Sequence, residues 1–299
     1  MTAIFILAAL GGADAEAPSL ENSPRRDVEL IRSVPGVKRV TKRVGNRTGT
    51  VLVLMYHKTG PEEKFMVRSQ KNFLADLTRL YKLGYRPVTL AEYGSNQMKL
   101  PRGASPVVLT FDDSDPSQFL LKPDGSIDPK SLVGIWHKFT KSHPDFPVKG
   151  TFFVLPNGPW GSKKDAPTKL EYMRKWGCEI GSHTMNHKNL SKLTDAEVIA
   201  EFGRSYDYVK KLGFEPTSMA LPYGILPKNR ELVKGFQFKG QKYRYWNVVL
   251  AGSAPAKSPL NKSYDNLRIQ RVQAYNGIYG INWWLDFNKK NPTRPYVQP

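Results

Sequence analysis

Four short apolar runs in this 299-residue chain end in side chains able to do acid–base or metal chemistry. His57 follows Val51-Leu-Val-Leu-Met-Tyr56, and Asp112 with Asp113 follows Pro106-Val-Val-Leu-Thr-Phe111. His183 and His187 follow Cys178-Glu-Ile-Gly181, while Pro222 and Tyr223 follow Ser218-Met-Ala-Leu221. Asp113, His183 and His187 form the best metal-ligand set. Two imidazoles four residues apart fall on one side of a turn or helix, and a carboxylate completes a facial triad. Three protein ligands leave positions open for water and substrate, as a hydrolytic zinc site requires, though the same set suits non-haem iron. A neighbouring Asp112 is then free to act as a general base on a water polarised by the ion. Strand alternation points adjacent side chains apart, so local geometry decides which aspartate does which, and Asp-Asp-Ser-Asp-Pro would also make a good helix N-cap. His57 has the chemistry of a general acid for a departing amine. His137 and His143 fall outside the strand-end set and read as structural or solvated.

The elements that must position these groups alternate. Apolar runs of strand length, continuous as in a sheet buried on both faces, alternate about seven times with helical patterns, and there is no internal repeat. Phe73, Leu77, Leu80 and Tyr81 recur at helical spacing before Gly84, and helices are expected near 131–142 and 167–176. Thr194-Asp-Ala-Glu197 is a capping box opening a longer helix. Further strands are expected at 150–154, 245–250 and 267–272. Such alternation implies a parallel α/β barrel or a doubly wound sheet, where functional residues occupy the C-terminal strand ends. The candidate residues lie there.

These residues resemble the polysaccharide deacetylase family, carbohydrate esterase family 4. Thr110-Phe-Asp-Asp113 is similar to its first motif, His183-Thr-Met-Asn-His187 to its second, Leu221-Pro-Tyr-Gly224 to its third, and Thr151-Phe-Phe153 to an accompanying core strand. The resemblance spans roughly 50–250. It implies a distorted (β/α)7 barrel in which Asp112 is the base, Asp113, His183 and His187 hold zinc or another divalent transition metal, and Tyr223 offers its backbone N–H to an oxyanion. Three features depart from the family pattern. Ala220-Leu221 stands where an arginine usually precedes the third motif, Ser114 replaces a glycine, and no histidine follows His187. Leu54-Met-Tyr-His57 resembles the exopolysaccharide de-N-acetylase subgroup, whose acid histidine comes from the first strand. The implied activity is removal of N-acetyl groups from poly-N-acetylglucosamine, peptidoglycan or a chitin-like polymer. Two other readings use the same residues: a catalytically silent glycan-binding protein, and a non-haem iron enzyme, which gives Asp112 no role. The segment from Ser114 to Lys149, with a turn at Pro123-Asp-Gly125, is expected to shape a substrate groove, and Trp246 is a weaker candidate for a groove wall.

Composition sets the frame. Hydrophobic residues at 40% supply a core, while 23 prolines and 24 glycines argue for many turns. A net charge of +19 suits an acidic envelope polymer, but no nucleic-acid module accompanies it. The densest run, Lys38, Arg39, Lys42, Arg43 and Arg47, reads as a solvated face. The lone Cys178 excludes an internal disulfide and reads as a buried, inert thiol. Ile4 to Leu10 with Ala13-Asp-Ala15 reads as a signal peptide over 1–15, implying export to the periplasm, cell envelope or exterior. No later apolar stretch is long enough to span a bilayer. The expected organisation is a basic lead-in over 16–50, a catalytic domain over 51–287 and a flexible tail over 288–299.

Overall fold

The structure, a computed structural model, describes residues 40–299 apart from Asn157. The expected signal peptide over 1–15 and the lead-in up to residue 39 lie outside the described residues. No helix among the described residues is long and apolar enough to cross a membrane.

Six parallel strands form the body of the sheet. In spatial order they are Asn247–Val249, Ser218–Ala220, Glu179–Ser182, Thr151–Val154, Ser105–Phe111 and Thr50–Tyr56. Tyr85–Val88 pairs with the lower half of Ser105–Phe111, and Thr151–Val154 takes over beside its upper end. Closure comes from one short segment. Ile269 bridges Val249 in parallel on one edge, while Val272–Gln273 pairs in parallel with Leu54–Met55 on the other. The result is the expected α/β fold, a curled, mostly parallel sheet drawn into a distorted barrel.

The two-residue period of the strands sorts their side chains. Val51, Val53, Val108, Phe153, Ala220 and Val249 pack together inside the curl. Leu52, Leu54, Tyr56, Val107, Leu109 and Phe111 pack outward under the helices, against Phe73, Leu77, Trp136 and Met173. The helix Gln70–Lys82 starts where Ser69 accepts from the Asn72 N–H, and it ends before Gly84, whose φ of +80° favours glycine. The helix Asp195–Lys211 opens on the expected capping box of Thr194 and Glu197. Cys178 is buried in the core, and burial pushes its thiol up to about 12.

The expected flexible tail does not exist. A helix, Ile281–Lys290, runs into the segment, and Tyr296 and Val297 are buried beyond it. Val297 exchanges backbone hydrogen bonds with Asn46, the Tyr296 N–H donates to Thr50, and the Gln298 N–H donates to Ala104. A polar, Pro-rich sequence looks loose when its hydrogen-bonding partners, Asn46, Thr50 and Ala104, are remote along the chain.

Candidate metal centre and active site

The alternation that puts Val108 and Thr110 inside the curl carries Asp112 inward as well, where it is buried at the strand's upper end. The chain then turns sharply. Asp113 and Ser114 both take left-handed backbone conformations, with φ of 71° and 47°, and this swings the Asp113 carboxylate away from its neighbour. The turn is held on both sides. Ser114 Oγ accepts from the Leu155 N–H, its carbonyl accepts from the Trp160 N–H, and the Gln118 side chain donates to the carbonyls of both His57 and Asp112. Gln118 thus ties together the two strand ends that carry the acid–base candidates.

Asp113 Oδ1 lies 3.3 Å from His183 Nε2 and 3.5 Å from His187 Nε2. One ligand atom from each of the three residues falls within 4.8 Å of the other two. His183 Nδ1–H donates to the Ala220 carbonyl at 2.9 Å, which fixes the tautomer and leaves Nε2 as a lone-pair donor facing the carboxylate. His187 is reached through a second pair of left-handed residues, Thr184 and His187 itself, and Thr184 Oγ1 accepts the His187 N–H. Two nitrogens and a carboxylate oxygen, converging with a supporting hydrogen bond behind them, fit a divalent transition ion.

Asp112 serves a different partner. Arg271, buried on the closing segment, donates from Nη1 to Oδ1 and from Nη2 to Oδ2, both at 2.7 Å. Its Nε–H donates to the Leu250 carbonyl, and Nη1 also reaches Thr110 Oγ1. Burial would raise the Asp112 pKa, but the charges of Arg271 and His183 and the paired hydrogen bonds hold it well below the usual carboxylate range. His57 Nε2 stands 3.9 Å from Asp112 Oδ2. Burial pushes the His57 pKa down against the pull of Asp112 and Asp113, so the resting imidazole is neutral at pH 7.

Tyr223 completes the rim. It sits in the turn Pro222–Gly224 with φ of 60°, and its ring lies 4.8 Å from that of His187. The N–H groups of Gly224 and Ile225 close the turn, whereas the Tyr223 N–H donates to no acceptor among the described residues.

The polysaccharide deacetylase model matches residues 99–240, which hold the aspartate pair, both ligand histidines and Tyr223. The chain carries a domain of the polysaccharide deacetylase family. The peptidoglycan-N-acetylglucosamine deacetylase of Bacillus cereus is 29% identical over 131 residues, 44% of this chain and 40% of that protein. The matched segment therefore spans less than half of that relative's length. The polysaccharide deacetylase BC0361 of Bacillus cereus superposes over 80% of this chain and 69% of its own, at a TM-score of 0.57 and 18% identity. IcaB of Ammonifex degensii superposes over 80% of this chain and 97% of its own, at a TM-score of 0.54 and 20% identity. Both likenesses are likenesses of fold.

Within this deacetylase domain the structure brings all six sequence-predicted site residues to one rim. Sequence reasoning missed two others, Arg271 and Gln118. The signal for Arg271 was present, since a charged side chain interrupts the expected strand at 267–272. Near the departure at Ala220, Arg271 brings a guanidinium to Asp112 from the closing segment. The segment Ser114–Lys149 reaches the rim through Ser114 and Gln118 but lines neither of the two clefts beside the site. The clefts flanking the site are lined by 55–57, 63–68 and 273–277 on one side and by 187–189, 192–193, Tyr223 and Ile225 on the other. The turn at Pro123-Asp-Gly125 forms as expected, with Gly125 at φ 79°. Trp246 is neither groove wall nor core. It is 42% exposed just before Asn247–Val249, at the strand-start end, with Arg244 stacked 3.8 Å from its ring centre. His137 and His143 pack against Trp176 and Phe139, away from the rim.

Proposed function

We propose that the chain is a metal-dependent hydrolase removing N-acetyl groups from amino-sugar residues of a polysaccharide: poly-N-acetylglucosamine, peptidoglycan or a chitin-like polymer. The observation that carries this reading is the division of labour between adjacent aspartates. Asp113 faces two imidazole nitrogens, while Asp112 is locked to Arg271 and kept anionic beside His57. An ion held by Asp113, His183 and His187 would supply Lewis-acid polarisation of the acetyl carbonyl and make water more acidic.

The chain's own residues do the rest. Asp112, ionised at rest and oriented by Arg271, accepts the proton of the attacking water. The unpaired Tyr223 N–H is available to the developing oxyanion. His57 rests neutral and must gain a proton before donating one to the leaving amine. Asp112 Oδ2, 3.9 Å from His57 Nε2, is the group placed to pass it on. One flanking cleft, of about 340 Å³, runs from His57 past Phe65 and Tyr275, and the other, of about 570 Å³, runs from His187 past Tyr223. Exposed aromatics at Phe65, Tyr275 and Tyr223 suit the apolar faces of sugar rings, which supports a polymer lying across the site. An exported location follows from a polysaccharide substrate and from the 1–15 segment.

A non-haem iron reading leaves the Arg271–Asp112 pair without work. A silent binder was suggested by the missing third-motif arginine and the high positive charge; the Arg271–Asp112 pair weighs against the first ground, and acetate release decides the second. The test is acetate release from N-acetylglucosamine oligomers, poly-N-acetylglucosamine and peptidoglycan by metal-loaded, chelator-stripped, Asp112→Asn and His57→Ala protein. Release should require the metal. Each substitution should lower the rate by about 10²- to 10⁴-fold with bound metal retained. No release from any of the polymers by protein with stoichiometric metal would sink the proposal, and metal loss in His57→Ala would remove His57 from the acid role.

A further inference from the structure

The strands start at the end of the barrel opposite the catalytic rim, roughly 20 Å away for a seven-residue strand. Four segments meet there. The Val40 N–H donates to the Arg102 carbonyl, and Thr41 Oγ1 donates to Gly103. Ser258 donates to the carbonyls of Arg47 and Gly49, from its side chain and its backbone respectively. Asn46 and Thr50 pair with Val297 and Arg294, and the Gly103 N–H donates to Gln298. These segments, 40–50, 95–105, 251–264 and 287–299, contain ten Lys or Arg and no Asp or Glu. Ten positive charges in four short segments compare with a net charge of +19 for the whole chain.

Nine of them are exposed: Lys42, Arg47, Lys99, Arg102, Lys257, Lys262, Lys289, Lys290 and Arg294. None of the nine forms an ion pair among the described residues. The acids bordering the face are engaged or peripheral. Glu92 binds Lys149, Asp286 binds Arg79, and Asp265 accepts from the Leu267 N–H. What sets this end apart is its composition: the four segments hold no carboxylate of their own, whereas Arg68 and Arg86 meet Asp76 and Asp145. Two apolar side chains stand among these cations: Val44, 82% exposed between Lys42 and Arg47, and Leu260, 42% exposed between Lys257 and Lys262.

We propose that this end of the barrel docks on the surface of an anionic lipid bilayer. Exposed cations supply attraction to lipid headgroups, and apolar side chains between them reach the acyl boundary. A soluble acidic polymer would be served by the charges alone and would give Val44 and Leu260 nothing to contact. Docking this way leaves the catalytic rim facing away from the bilayer, toward polymer.

The test is co-sedimentation of the full chain with phosphatidylcholine vesicles, with and without phosphatidylglycerol. Binding should need the anionic lipid and weaken with salt. Lys42→Ser/Arg47→Ser/Lys262→Ser should lower the partition coefficient roughly a hundredfold, from the typical contribution of a basic residue near an anionic surface. Val44→Ser/Leu260→Ser should weaken vesicle binding several-fold while leaving binding to soluble polyglutamate unchanged. Every position is exposed, and unchanged thermal melts would show that the variants fold. The proposal is overturned if anionic and neutral vesicles bind alike. It is overturned equally if the chain binds polyglutamate but not vesicles, or if Val44→Ser/Leu260→Ser binds vesicles as the parent does.

Discussion

The two ends of one barrel are built by opposite rules. At the rim, five non-glycine residues, Asp113, Ser114, Thr184, His187 and Tyr223, are held in left-handed backbone conformations. Along the four segments of the far end the one such residue is Asn96, a type that tolerates that conformation. The rim's aspartates and histidines face one another or Arg271, whereas nine cations of the far end are exposed and form no ion pair among the described residues. Strained backbone persists where surrounding bonds over-determine it, and the bonds of Ser114, Gln118 and Thr184 do so here. Catalysis needs atoms fixed to a fraction of an ångström. Attraction to a surface needs only charge and access.

The largest expected effect comes from breaking the rim's convergence. His183→Ala and His187→Ala should each abolish stoichiometric divalent-metal binding, measured by elemental analysis after dialysis, and reduce acetate release to background. Because His183 is buried and bonded to Ala220, its loss should also destabilise the fold more than loss of the half-exposed His187. Retained metal in either variant would remove that residue from the ligand set.

Arg271→Met should come next, and its signature is a change of sign. In the parent, Asp112 has a folded-state pKa below its unfolded value near 4. The pair's stabilisation is therefore full above about pH 4 and is lost as pH falls further. Without the guanidinium, burial dominates and raises the folded-state pKa above the unfolded one. That group then favours folding below about pH 4 and opposes it progressively as pH rises. Removing one partner of a buried pair typically costs about 3–5 kcal/mol. Chemical denaturation across pH 4–8 reads the slope, and the acid limb of the rate profile should move upward with it. An unchanged slope and limb would mean that Arg271 does not set the charge of Asp112.

Which of these features could be read from sequence follows from how far apart their parts lie. The Thr110–Asp113 and His183–His187 motifs each deliver their chemistry within five residues, and the strand before each aims it at one rim. The seven alternations gave the fold class because helix and strand periods are local. Arg271 reaches Asp112 across 159 positions, and Gln118 bridges two strand ends, so neither leaves a contiguous pattern. The tail over 288–299 misled for the same reason: its partners, Asn46, Thr50 and Ala104, are remote in sequence. The basic face is a sharper case, because its four segments look like ordinary solvated stretches one at a time. Only their hydrogen-bonded juxtaposition shows four acid-free segments meeting at one end of the barrel.

The smallest expected effect is the one that separates the two ends most cleanly. If the rim is self-sufficient, Lys42→Ser/Arg47→Ser/Lys262→Ser should leave turnover of a soluble N-acetylglucosamine oligomer within about twofold of the parent. Charges some 20 Å from the site are separated from it by more than a screening length of about 8 Å at physiological salt. The same variant should lose turnover when substrate is embedded in anionic vesicles, because fewer molecules reach the surface. Loss on the soluble oligomer as well would show that the far end supports the rim through the barrel, and the division between the two ends would fall. Equal turnover in both assays would keep the rim independent and leave the basic face without a part in reaching substrate.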